Sequence, residues 1–222
     1  LFVAAAVQGE GVFKRAGRGQ KWAEFLEGEP GWGNDFGAEW LAMMAAKNLD
    51  FRPRECDGLG VLARGARETW KNFQQLGRLL KKRGGRIKEP DFRQRGDACA
   101  RAMLIAFGDR LAVRRDQGSA VCHVVGGRKG KLHPKSVVRN TTLFLAADMI
   151  EVEGRERSVI LSRCVEISKD WIPAEEINDS ENVIFDEISR RVVAVKQRIF
   201  RGLVLEEKRG GELDPNLAGE LL

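Results

Sequence analysis

The residues that could carry chemistry sit in a few short stretches, and most of these fail on spacing or context. Gly126-Gly127-Arg128-Lys129-Gly130-Lys131-Leu132 has the glycines and lysines of a phosphate-cradling loop. Such a loop needs a first glycine where Val125 stands, a magnesium-binding hydroxyl where Leu132 stands, and a helix to open into. Strand-like sequence on both sides denies it the helix. Gly58-Leu59-Gly60-Val61-Leu62-Ala63 matches a dinucleotide turn by its letters, but polar Pro53 to Asp57 before it is no buried strand. Cys122-His123 with His133 lacks a fourth metal ligand at workable spacing, and Cys56, Cys99, Cys122 and Cys164 form no C-x-x-C pair. The acids Glu175-Glu176 and Glu206-Glu207 are adjacent, so their carboxylates need not converge. Asp186-Glu187-Ile188-Ser189 shares only its first two letters with a nucleotide-hydrolysis box. The chain by itself is not expected to be an enzyme.

Positive charge is the more informative feature. The formal net charge is +6 over 222 residues, and it is uneven. Residues 1–118 hold 22 basic and 15 acidic side chains, against 16 and 17 in residues 119–222. Lys71 to Arg101 alone carries ten basic residues against Glu89, Asp91 and Asp97. A stripe of that kind attracts polyanions, nucleic acid first among them. The 11 Phe and 5 Trp, with many Val, Ile and Leu, argue for a packed core rather than disorder. Scattered cysteines and the lack of a basic n-region or a span-length apolar run predict a reduced, soluble, cytoplasmic protein with no membrane partner. The opening Leu1-Phe2-Val3-Ala4, without methionine and inside an apolar run, reads as part of a longer polypeptide.

The elements that must position these residues follow from hydrophobic period. Leu62, Ala66, Trp70, Phe73, Leu76 and Leu80 form one stripe of a long helix that Gly84-Gly85 ends. Phe36, Trp40, Met43, Met44 and Lys47 outline a shorter helix, capped by Asn34 or Asp35. Asp97 is expected to cap a third, Ala98 to Phe107, apolar almost all round and so buried. Gly9 to Gly33 holds seven of the 25 glycines and reads as loops with one amphipathic piece near Trp22, Phe25 and Leu26. After Asp109 the period shortens. Ala120 to Val125, Leu143 to Val152 and Ser158 to Ile167 read as strands, the last two joined at Gly154-Arg155. Trp171 to Glu176 reads as a helix start, and Val183 to Ile188 with Val192 to Leu205 as a hairpin about Ser189-Arg190. The fold class is therefore α+β: a helical domain over 1–108, then a small β-barrel or sandwich over 109–207. Residues 208–222 begin a further extension.

Three segments, in this order, resemble the C-terminal accessory region of DEAH-box RNA helicases, especially the bacterial HrpB type. The first is Asn34-Asp35-Phe36 through Trp40, then Cys56 to Val61, Ala63 to Glu68 and Trp70 to Leu76, similar to the end of that family's helical ratchet domain. The second, Ala106 to Arg115, resembles the entry into its OB-like domain. The third runs from Gly127 through His133-Pro134-Lys135-Ser136-Val137, the signature-like stretch, to Val165-Glu166-Ile167-Ser168-Lys169-Asp170-Trp171-Ile172. The likeness covers roughly residues 34–207. Lys135 departs from it, standing where many members have a second serine.

The resemblance implies an N-terminal ratchet-like domain and an OB-like barrel that wall a channel for single-stranded RNA, with DNA as the alternative strand. Partners would be that strand and the RecA-like lobes of the same parent, which would bind the ATP and magnesium; this chain holds no cofactor of its own. Backbone-phosphate contacts are then expected from Arg128, Lys129 and Lys131 in the turn between strands and from Lys135 and Ser136 beyond it, with Arg110, Arg114 and Arg115 as second choices, the first two on one strand face and Arg115 off it. If about five phosphates are neutralised, log affinity falls with log salt at a slope near −3.5. His133 is expected to be a hydrogen-bonded structural residue, and Trp70 and Trp171 core residues. The alternative is a module that docks on the ATPase lobes or other proteins without touching nucleic acid.

Overall fold

Phe2, Trp40, Phe73 and Phe92 meet edge to face, with Phe2 5.1 Å from Trp40 and 6.0 Å from Phe92 between ring centroids. That cluster joins four helices that are distant in sequence. The structure, a computed structural model, describes residues 1–14, 34–116, 118–152, 158–186 and 191–210. The helices are α1 (Phe2–Val7), α2 (Asp35–Asn48), α3 (Pro53–Gly58), α4 (Ala63–Lys82) and α5 (Phe92–Phe107). Asn34 caps α2, its Oδ1 accepting from the Phe36 and Gly37 amides at 2.9 and 3.4 Å. α4 carries the expected stripe, with Ala66 and Phe73 buried along it, and Gly84 follows its end in a left-handed conformation at φ +78°.

Eight strands follow: β1 (Leu111–Val113), β2 (Val121–Val124), β3 (Arg128–Leu132), β4 (Leu143–Val152), β5 (Ser158–Glu166), β6 (Ile177–Asp186), β7 (Arg191–Phe200) and β8 (Leu203–Arg209). The first five close into a barrel in the order β1-β2-β3-β5-β4, antiparallel except for the parallel pair β3 and β5. The last three form a separate antiparallel sheet. On β4 the alternation is two-sided: Phe144 and Ala146 fill the barrel, while Leu143, Leu145 and Ala147 join the larger core shared with the helices. Phe200, Leu203 and Leu205 of the second sheet belong to that same larger core. The architecture is α+β, in which the helices, a closed five-stranded mixed barrel and a second sheet meet in one shared core.

Several expectations change. α5 begins at Phe92, not at Ala98, so Asp97 lies inside it; packing of buried Phe92 on Phe2 holds the additional turn. The helix is also one-sided, with Met103 and Leu104 buried and Ile105 87% exposed. Arg128, Lys129 and Lys131 lie on strand β3, because the turn is finished by Gly126 and Gly127, both at positive φ. Trp171 to Glu176 forms two short 3-10 turns instead of a helix. Val192 to Leu205 is not one strand: Arg201 and Gly202 adopt left-handed φ values of +46° and +82° and split it into β7 and β8. The amphipathic piece near Trp22, the turns at Gly154-Arg155 and Ser189-Arg190, and residues 211–222 lie outside the described residues.

Candidate nucleic-acid interface

The cationic or hydroxyl residues expected at phosphates separate by what their side chains already bind. Arg114 is 7% exposed, and its guanidinium donates to the Val138 carbonyl at 3.1 Å and to that of Arg139. Arg110 donates to the Ala147 carbonyl and lies over the Phe107 ring. Its expected place beside Arg114 on one strand face fails, because β1 spans only Leu111–Val113 and both arginines flank it. Arg128 donates to the carbonyls of Val125 and Asp109, at 3.3 and 3.0 Å, and so braces the turn behind β2. Lys135 donates to the Lys14 carbonyl at 2.6 Å, and burial lowers its pKa. Ser136 is buried, its hydroxyl donating to Asp35 Oδ1 at 3.1 Å. Arg114 and Ser136 are thus interior brackets: the loop from His133 to Arg139, which carries Ser136, accepts from both terminal nitrogens of Arg114 through its carbonyls.

Lys129 and Lys131 differ. They stand two apart on β3, exposed on its outer face, while Gly130 and Leu132 turn inward. Among the described residues neither has a hydrogen-bond or ion-pair partner. Across the ladder Lys129 faces His123 and Lys131 faces Val121. Burial, and then the charges of Arg115 and Lys129, hold His123 below the usual imidazole pKa against the opposing charge of Asp116. Lys129 and Lys131 present two cations on the outer face of β3, suited to a phosphate chain, while the charges of Asp116 and Glu207 bear on the Arg115 end.

The loop that carries Lys135 and Ser136 is fastened to the helical layer by one carboxylate. Asp35, at the first position of α2, accepts from Ser136 Oγ, from the Val137 amide at 2.8 Å and, through Oδ2, from the Cys164 amide at 2.7 Å. Burial raises its pKa to about 6 against the pull of those donors. His133 has the structural role expected of it, its Nδ1 accepting from the Lys135 amide at 3.1 Å. Trp70 and Trp171 are half-buried, with Lys47 and Arg101 respectively over their rings.

One turn along α2, Glu39 meets Arg163 of β5 at 2.9 Å, and Arg163 also reaches Asp148 of β4 at 3.1 Å. Burial pushes Glu39 up to about 7, with the Arg163 charge opposing. Burial also works against the Arg163 charge, but Glu39 and Asp148 outweigh it and its pKa rises. Arg163 reaches the helices because it breaks the alternation of its strand. It sits at φ +52°, and the residues facing the barrel step from Leu161 to Cys164, three positions apart. Beside this group lies a cavity of about 520 Å3 lined by Glu39, Asp148, Ser162 and Arg163 with the apolar Ile150 and Ile160.

The chain is similar to two solved helicase structures. One is the crystal structure of the E. coli DExH-box NTPase HrpB, at 17% identity and TM-score 0.45, covering 67% of this chain and 18% of that one. The other is the crystal structure of the Escherichia coli DEAH/RHA helicase HrpB, at 17% identity and TM-score 0.46, covering 70% and 18%. The chain therefore spans less than a fifth of the length of either. No family model matches the sequence, and no curated protein matches it.

The buried acids were missed in the sequence, although one signal was there. Asp35 and Glu39 are four apart and flank Phe36 and Trp40, so they lie among the apolar positions of α2 rather than opposite them. A carboxylate inside a helix's apolar stripe calls for a buried partner.

Proposed function

We propose that this chain is the C-terminal accessory region of an ATP-dependent DEAH-box RNA helicase of the HrpB kind, guiding single-stranded RNA across the β2–β3 face of an OB-like barrel. Supporting observations are the closed five-stranded barrel with a parallel β3–β5 pair and the cationic face on the strands that OB barrels use for oligonucleotides. The observation that carries the reading is that Lys129 and Lys131 project from one face with no partner among the described residues, where Arg110, Arg114, Arg128, Lys135 and Ser136 are spent on the fold. Residues 1–108 then act as the ratchet-like side of the channel. ATP and magnesium belong to RecA-like lobes not contained in this sequence, and the residues here do not fit them. The Gly126-Gly127 turn joins two strands, so no helix N-terminus faces a phosphate.

The test is equilibrium binding of labelled single-stranded RNA at several salt concentrations. Three cations, Lys129 and Lys131 with Arg115 beside them, give a slope near −2 in log affinity against log salt, shallower than the −3.5 expected for about five phosphates. Reversing both lysines to glutamate should flatten that slope and weaken every sequence alike. A salt-independent affinity, or one indifferent to the double reversal, overturns the reading.

A second reading, docking on protein, is favoured by one observation. Ile105 stands 87% exposed on α5, with exposed Ala98 and Ala102 on the same helical face. Ile105→Glu should abolish binding to separately expressed ATPase lobes if that face is the contact, and leave RNA affinity unchanged.

A further inference from the structure

The ladder places an exposed row across four strands of the barrel: Val121 on β2, Lys131 on β3, Ile160 on β5 and Ile150 on β4. Val121 and Ile150 are both more than two-fifths exposed, as is Val152 two residues beyond. The far end of that row is the wall of the cavity, which Ile150, Val152 and Ile160 line together. Its floor is polar, with Glu39, Asp148, Ser162 and Arg163. Adjacent strands lie about 4.8 Å apart, so Lys131 stands about 10 Å from Ile150. That span is comparable with the distance from a phosphate to the base edge within one nucleotide.

The floor has unused acceptor capacity. Arg163 occupies Oε1 of Glu39 and Oδ2 of Asp148, while the other oxygen of Asp148, a cavity-lining side chain 30% exposed, has no partner among the described residues. A donor placed there would make a charge-assisted hydrogen bond. A guest with flat apolar faces, a donor edge and an attached anion answers the walls, the floor and Lys131 in turn. The sequence has no tyrosine, and the apolar surface offered to a base is that of Ile150, Val152 and Ile160 with Phe13.

We propose that this cavity receives one nucleobase of a single strand crossing the β3 lysines, and that it favours bases with an exocyclic amino group. The inference rests on the nucleic-acid reading above. The amino group of adenine, cytosine or guanine donates to the unused Asp148 oxygen, whereas the one edge donor of uracil, N3–H, is flanked by two carbonyls whose lone pairs would face the carboxylates.

The test uses the whole chain and a short labelled oligouridine RNA whose central residue is uridine, adenosine, cytidine, guanosine or an abasic sugar. The three amino-bearing strands should bind about tenfold tighter than oligouridine, and the abasic strand more weakly than all. Ser162→Leu, which fills the cavity, should level the series and leave the salt slope intact. Should that variant lose its fold by circular dichroism, the oligonucleotide series on the unaltered chain decides alone. Equal affinity for the four bases overturns the selectivity. An abasic strand that binds as well as the others, with salt dependence retained, overturns the cavity and spares the lysine face. A chain that binds none of the strands overturns both.

Discussion

Arg163 Nε donates to Glu39 Oε1 at 2.9 Å across 124 residues of sequence, and both side chains are nearly sealed from solvent, at 7% and 6% exposure. The pair ties helix α2 to strand β5 at the place where β5 breaks its alternation. Removing the two partners is not symmetrical. Arg163→Met leaves Glu39 buried without its counter-charge, and should cost about 3–5 kcal/mol in urea unfolding. Glu39→Gln keeps an acceptor for Arg163, which still holds Asp148, and should cost about 1 kcal/mol. Equal small losses would show that the pair does not bear on the packing of helix against barrel.

The same carboxylate predicts a pH dependence of unusual sign. Burial raises Glu39 from 4.5 to about 7 and Asp35 from 3.8 to about 6. The folded state therefore binds more protons than the unfolded state between those values, and stability falls as pH rises from about 4 to about 8. For Glu39 alone the change amounts to about 3 kcal/mol. His123 and His133, held low chiefly by burial, act in the opposite sense as pH drops below about 6.5. Comparing wild type with Glu39→Gln isolates the term: urea midpoints across this range should slope downward in the first and less steeply in the second. Parallel profiles would refute it.

What the sequence made legible was local. The Asn34 cap, the stripe on α4 and the strands over Val121–Val124, Leu143–Val152 and Ser158–Glu166 rest on signals only a few residues long. The failures were tertiary. Asp97 looked like a cap until the packing of Phe92 on Phe2 added a turn before it. Arg114 and Lys129 look alike in sequence, yet one lies under the His133–Arg139 loop donating to carbonyls and the other projects outward. Asp35 joins two of the segments that resemble helicases, Asn34–Trp40 and His133–Val137, through a contact that linear order alone does not show.

Gly130 offers a test of the strand that carries both free lysines. A Cβ on this residue would lie 2.8 Å from the Leu161 side chain, which is buried in the barrel. Gly130→Ala should therefore destabilise the chain by about 1–3 kcal/mol through overpacking. Thermal unfolding measures it, and an unchanged midpoint would mean that β3 and β5 have room to separate at that register.

The sharpest contrast lies between Arg114 and Lys129, two cations of the same candidate set. Arg114 donates to two carbonyls of the loop that Asp35 fastens, so Arg114→Ala strands the buried Val138 acceptor and should cost about 1–3 kcal/mol. It contributes no charge to the outer face, so the salt slope of RNA binding should stay as it is. Lys129→Ala should do the reverse. Its side chain touches no partner among the described residues, so stability should move by no more than about 0.5 kcal/mol. The salt slope should shrink by about 0.7, the loss of one phosphate contact. Unfolding and binding measured side by side on the two variants separate a structural cation from a contacting one, and a Lys129→Ala variant with an unaltered slope removes β3 from the interface.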